Sequence, residues 1–136
     1  MKVVLDTNII LDIALKRTPF YNESAKLISL IGVGKINAFI TATTITDIYY
    51  VSRKSQGHAT TISFITSLLK IINVLSIDSK IILKSLKSDI KDFEDAIQAN
   101  AASFNQIDYL ITRNKKDFIK SDIKALTPKE FLKEQE

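Results

Sequence analysis

Asp6, Asp47, Asp92, Glu94, Asp95 and Asp117 are the residues whose chemistry and spacing set this chain apart. Asp6 closes the apolar run Val3-Val4-Leu5, and Asp47 follows a Thr-rich segment after a second apolar run. Asp92, Glu94 and Asp95 crowd one short stretch, while Asn114 and Asp117 come just after a third apolar run, Tyr109-Leu110-Ile111-Thr112. If these carboxylates meet, their charge is the dominant fact about the site. Two of them about 5 Å apart repel by roughly 3 kcal/mol at an effective dielectric near 20. Helix N-termini relieve only about 1 kcal/mol each. A bound divalent cation is the stronger remedy, and an all-oxygen donor set without cysteine favours Mg2+ or Mn2+ over zinc. The chemistry such a site serves is metal-assisted hydrolysis of a phosphodiester. Arg113, Lys115, Lys116, Lys120 and Lys124 stand nearby in sequence and could hold a nucleic-acid backbone, or be an ordinary solvated face.

Each acid also has a plainer reading. Asp47 lies three residues after Thr44, and Asp95 three after Asp92, which is the spacing of a helix cap. Asp6 has no such reading. It follows a buried strand, where an unpartnered carboxylate costs several kcal/mol.

The elements that must position these acids follow from periodicity. Val3-Val4-Leu5 predicts a buried parallel strand, with Thr7 or Asn8 capping the apolar helix 9–15. Pro19 opens a second helix through Leu27 and Ile31, ended by Gly32 and Gly34. Residues 38–41 predict a second strand, 43–56 a helix, and Ile62, Ile65, Leu69 and Ile72 the core stripe of another. Val74-Leu75-Ile77 gives a third strand, Asp78 a capped helix, Asp92 the start of a further helix, and Tyr109–Thr112 a fourth strand. Ala125-Leu126 is a fifth, followed by Thr127-Pro128-Lys129-Glu130, which has the form of a capping box with proline in the first turn. Strands separated by helices imply crossover connections. The expected fold is therefore a three-layer α/β/α sandwich around a mostly parallel sheet of four or five strands. In such sheets, ligands bind beyond the carboxyl ends of the strands, where all of these acids fall.

Composition narrows the classes. The 136 residues are expected to form one domain, 1–136, with no internal repeat. With 46% hydrophobic and 25% charged residues, the chain has the balance of a folded protein rather than a disordered one. The absence of cysteine excludes disulfide scaffolds, thiolate metal sites and cysteine nucleophiles, and a single histidine, His58, excludes multi-histidine metal sites. No apolar run is long enough for a membrane span, and Asp6 arrives too early for a secretory signal, so the expected location is cytoplasmic. A net charge of +4 permits a polyanionic partner without requiring one.

The same residues resemble a known family. Val4-Leu5-Asp6-Thr7-Asn8 is similar to the opening motif of PIN-domain ribonucleases. Asp47 matches the second acid, 92–99 (DFEDAIQA) resembles the helix carrying the third, and 112–118 (TRNKKDF) the segment carrying the fourth. The closing 126–132 (LTPKEFL) resembles a small prokaryotic subgroup, so the likeness spans the chain in order. It implies a Rossmann-like PIN fold and a Mg2+- or Mn2+-dependent endoribonuclease. Free-standing members of this size are commonly VapC-type toxins of toxin–antitoxin pairs, often homodimeric and inhibited by a small antitoxin. By match, Asp6, Asp47 and Asp95 are expected to hold the metal, with Asp117 as fourth acid. Asn8 and Thr112 would orient groups around them, Asp92 and Asn114 would support them, and Arg113, Lys115 and Lys116 would contact RNA. Two positions depart from the pattern. The second acid is Asp rather than the usual Glu, and Asn114 stands where many members have Asp. Whether Asp117 or Asn114 fills the fourth position, and whether Asp92 or Asp95 is the principal third acid, is open at this level.

Rival readings belong to other classes. An aspartate-based phosphotransferase of the haloacid dehalogenase type also places Asp after its first strand, but needs a second two residues later, where this chain has Asn8. A catalytically silent RNA- or protein-binding module of the same fold is the alternative; metal-dependent RNA cleavage separates it from an enzyme. His58 is expected to be solvated or capping, and Tyr49 and Tyr50 to pack or contact a partner rather than stack on bases.

Overall fold

The computed structural model describes all 136 residues. Five strands form one parallel sheet: β1 (Lys2–Leu5), β2 (Asn37–Thr41), β3 (Asn73–Leu75), β4 (Tyr109–Ile111) and β5 (Lys124–Leu126). Their spatial order is β3-β2-β1-β4-β5, so the chain builds outward from β1 on one side and then returns to the other. Seven helices cover the sheet: α1 (Thr7–Ala14), α2 (Tyr21–Gly32), α3 (Ala42–Gln56), α4 (His58–Leu68), α5 (Ser79–Leu86), α6 (Phe93–Phe104) and α7 (Pro128–Glu134). A 3-10 turn, Lys115–Phe118, follows β4. The sheet is wholly parallel.

Alternation along β1 divides the core. Val3 and Leu5 face a cluster with Ile9 and Ile10 of α1, Leu27 of α2, Ile48 of α3 and Phe131 of α7. Val4 faces the opposite cluster, with Ile81 of α5, the small residues Ala96, Ala99 and Ala102 of α6, and Phe118. Both faces of the central strand are thus covered, which is why it reads as an unbroken apolar run. Ala-rich α6 can lie close on the sheet, and this brings its acidic first turn to the strand ends.

Several local expectations are refined by the structure. Thr41, not Thr43 or Thr44, occupies the cap position of α3 and accepts from the Thr44 amide at 3.3 Å. Asp47 is therefore beyond the cap and free for other contacts. Pro19 precedes α2 rather than opening it. The expected core stripe of α4 is split: Ile72 is buried past the helix end, while Ile62 and Leu69 are exposed. Gly57 links α3 to α4 at φ +82°, a left-handed conformation that the absence of a Cβ permits. His58 begins α4, and its Nδ1 shares a 2.9 Å hydrogen bond with the Tyr49 hydroxyl. The caps of α5 by Asp78, of α6 by Asp92 and the Thr127–Glu130 capping box of α7 form as their spacing predicts.

Candidate active site

The switch in strand order lies between β1 and β4, and the site is built there. Asp6 is the residue on which the ladder ends: its amide donates to the Ile111 carbonyl of β4 at 2.9 Å. It stands at the cap position of α1, yet its side chain makes no cap bond. Both carboxylate oxygens are instead engaged, Oδ1 accepting from Gln98 Nε2 at 3.0 Å and Oδ2 from the Thr112 hydroxyl at 2.8 Å. Thr112 Oγ1 in turn accepts from the Asn114 amide at 3.1 Å, which commits its own proton to Asp6. Two hydrogen bonds to a carboxylate that is 6% exposed hold it in one orientation.

An open cleft of about 380 Å3 gathers the other acids around it. Asp47, Asp92, Glu94, Asp95 and Asp117 all line it with Asp6, and Asn8 and Asn114 contribute to its walls. The acids fall into two groups. Asp95 is pushed up to about 7, first by burial and then by the charges of Asp6, Asp92 and Asp117. Glu94 is pushed up to about 8 by burial, by a side-chain hydrogen bond with Asp47 and by that residue's charge. The Thr7 hydroxyl also donates to Glu94 at 3.2 Å and lies 2.9 Å from Thr44 Oγ1, so a run of threonines braces the Asp47 side. Asp92 both caps α6, accepting from the Asp95 amide at 2.9 Å, and adds negative charge to the cleft. Asp92 is thus at once the cap of α6 and a lining residue of the cleft.

As the side chains stand, no three carboxylates are close enough together to bind one ion. The donors are nonetheless all oxygen, and Gln98 Oε1 is buried without a partner beside Asp6. A hard dication such as Mg2+ takes one or two carboxylates and keeps several waters, so this donor set fits it.

Three features were not evident from spacing. Gln98 lies one turn past Asp95, on the same face of α6, and the helical offset was the available signal. Glu94 stood within the acidic cluster, but its partnership with Asp47 depends on α3 and α6 meeting across the cleft. Asp12 gave no signal. Fully buried on α1, it pairs with Arg113 at 3.0 Å and lies 3.8 Å from Arg17. Burial raises its pKa against the opposing pull of both arginines. Arg113 also stacks 4.0 Å over the Phe20 ring, and Lys115 pairs with Glu130 at 2.9 Å. Of the cations expected to meet RNA, these two already have partners, whereas Lys116 is exposed and unpaired.

Comparison with known proteins places these features in context. A family model described as PIN domain matches residues 2–116. The chain is 30% identical over 134 residues to Ribonuclease VapC1 of Aquifex aeolicus, covering 96% of this chain and 92% of that protein. Among solved structures, VapBC-1 from nontypeable Haemophilus influenzae superposes with a TM-score of 0.72 at 24% identity, covering 95% of this chain and 99% of that one. A toxin–antitoxin complex from Klebsiella pneumoniae gives a TM-score of 0.70 at 25% identity, with 93% and 97% covered.

Proposed function

The chain belongs to the PIN-domain family, and from that premise we propose that it is a metal-dependent endoribonuclease, the toxin of a toxin–antitoxin pair. The observation that carries the chemistry is Asp6: a buried carboxylate at the sheet's switch point, fixed through both oxygens, in a cleft where Glu94 and Asp95 are held above the ordinary carboxyl range. Burial, and then neighbouring charge, raise these two carboxyl groups into the neutral range, and a dication would offset both, which supports Mg2+ or Mn2+ as the cofactor.

Asp6 and Asp95 would hold the ion directly, with Asp47 and Asp117 reaching it directly or through water. The chemistry a bound dication supplies is polarisation of the phosphoryl oxygen, activation of water and neutralisation at the leaving oxygen. The chain's own part is orientation. Thr112 and Gln98 fix the Asp6 carboxylate, and the Asn114 amide fixes Thr112. Glu94, raised to about 8 by burial and by its hydrogen bond with Asp47, carries its proton at neutral pH and can donate it to Asp47. Asn8 lines the same cleft and would contact the substrate.

The partners implied are an RNA substrate, a small antitoxin and a second copy of the chain. Two apolar surfaces are available to proteins, Tyr50, Val51, Ile62 and Leu69 on or beside α3 and α4, and Leu83, Leu86 and Phe104 on α5 and α6. No helix is long and apolar enough to cross a membrane.

The test is cleavage of RNA by purified protein with Mn2+ or Mg2+. Wild type should cleave, chelation should stop it, and Asp6→Asn should reduce the rate by about a hundredfold or more, the scale set by losing a metal ligand or its oriented support. A folded protein that cleaves nothing and binds no Mn2+ by calorimetry would instead be a silent binding module.

A further inference from the structure

The acid cleft shares a wall with a second one. Asp92, Asp95 and Asp117 border both, and from them a groove of about 480 Å3 extends between the start of α6 and the 3-10 turn. Lysines stand on its two sides: Lys91 in the turn before α6, Lys116 within the 3-10 turn and Lys120 just beyond it. All three are exposed, and none is in an ion pair; the paired cations of this chain are Arg17, Arg113 and Lys115. Ile119, 76% exposed, lines the groove between Lys116 and Lys120.

An exposed lysine alone means little. Here three unpaired ones flank a groove that opens directly into the acid cleft, while its acids, Asp89, Asp92, Asp95 and Asp117, repel an anion. A phosphate is therefore favoured at the lysine rim rather than on the carboxylates. Single strands are bound by cations that track the backbone together with exposed side chains against which unpaired bases pack, a contact that a duplex does not offer; Ile119 supplies that surface here.

We propose that this groove is the path by which a single RNA strand flanking the cleavage point leaves the acid cleft, its phosphates held by Lys91, Lys116 and Lys120 and a base resting on Ile119. The assignment rests on the nuclease reading above. It moves the RNA contact away from Arg113 and Lys115, which are held by Asp12 and Glu130.

Fluorescence anisotropy of a short unstructured RNA, in chelator and across a salt series, tests it. Each phosphate contact to a single strand contributes about 0.7 to the slope of log K against log salt, so the triple variant Lys91→Gln/Lys116→Gln/Lys120→Gln should flatten that slope by about 2. A control losing the same charge elsewhere, Lys26→Gln/Lys35→Gln/Lys70→Gln, should leave it unchanged. The proposal is overturned if the two triples behave alike, or if wild type binds a duplex of equal length as tightly as the single strand. If wild type cleaves RNA yet the groove triple keeps its slope, the groove fails and the nuclease reading stands. If wild type cleaves nothing while the slope still flattens, the nuclease reading fails and the groove remains an RNA site.

Discussion

At the scale of single residues, the site is a compromise between folding and charge. Asp6 is stabilised by two donors, but Glu94 and Asp95 are not stabilised in their charged forms: burial comes first among the causes that raise them, and neighbouring carboxylates add to it. For Glu94 the folded pKa, about 8, lies above the ordinary 4.5. The native state therefore holds this proton more tightly than the unfolded chain. Its favourable contribution is complete below pH 4.5 and is lost as pH rises through 8. Metal-free protein should lose stability over that window, and Glu94→Gln should remove much of the loss. Because the group is partly solvated, the gain at pH 8 is on the order of 1 kcal/mol rather than the full linkage value. Urea unfolding of both proteins at pH 5 and pH 8 checks this; an equal difference at both pH values contradicts it.

At the scale of elements, the question is what keeps the segment after β4 against the start of α1. Thr112 reaches Asp6 only while that segment is in place, and the next residue, Arg113, is tied to Asp12 two turns along α1. The 3.0 Å contact is an ion pair without a well-directed hydrogen bond, since neither Asp12 oxygen nor Arg113 Nε meets the geometry for one. Removing Arg113 leaves the fully buried Asp12 carboxylate without its nearer partner. Arg113→Ala should cost about 3 kcal/mol, whereas Asp12→Leu with Arg113→Met should recover most of it, because a buried pair gains little over apolar replacements. Chemical denaturation of the double-mutant cycle decides; a single-variant loss below about 1 kcal/mol would mean the pair does not join these elements. Thr41 works at the same level on the opposite wall. By capping α3 it releases Asp47 from the role its spacing suggested, so that Asp47 is available to Glu94.

At the scale of the whole molecule, a site that is strained by its own charge would, under the proposed function, couple the binding of a metal ion to folding. A ligand that binds only the native state stabilises it by about 2.7 kcal/mol at a hundred times its dissociation constant. Mn2+ should raise the melting temperature by several degrees, with the largest gain at higher pH, where more carboxyl protons have gone. Asp6→Asn should abolish most of that gain. Differential scanning fluorimetry with and without Mn2+ measures it, and an equal shift in wild type and variant would place the ion elsewhere. The net charge of +4 conceals this arrangement, because basic side chains lie outside a cleft that is itself strongly negative.

The chain order of apolar runs and caps was enough to determine the parallel α/β architecture. Asp78, Asp92 and Thr127–Glu130 act through neighbours close in sequence, and such interactions can be read from spacing. Asp6 could be singled out from the sequence for a related reason: an acid at the end of a buried strand has no local partner. The pairing of acids was not legible. Which carboxylate meets Asp47, that Gln98 and Thr112 share Asp6, and that Arg113 turns inward to Asp12 depend on contacts between residues far apart in sequence. Only the packing of α6 and the segment after β4 around the end of β1 decided them, since charge acts across space and carries no periodic signature along the chain.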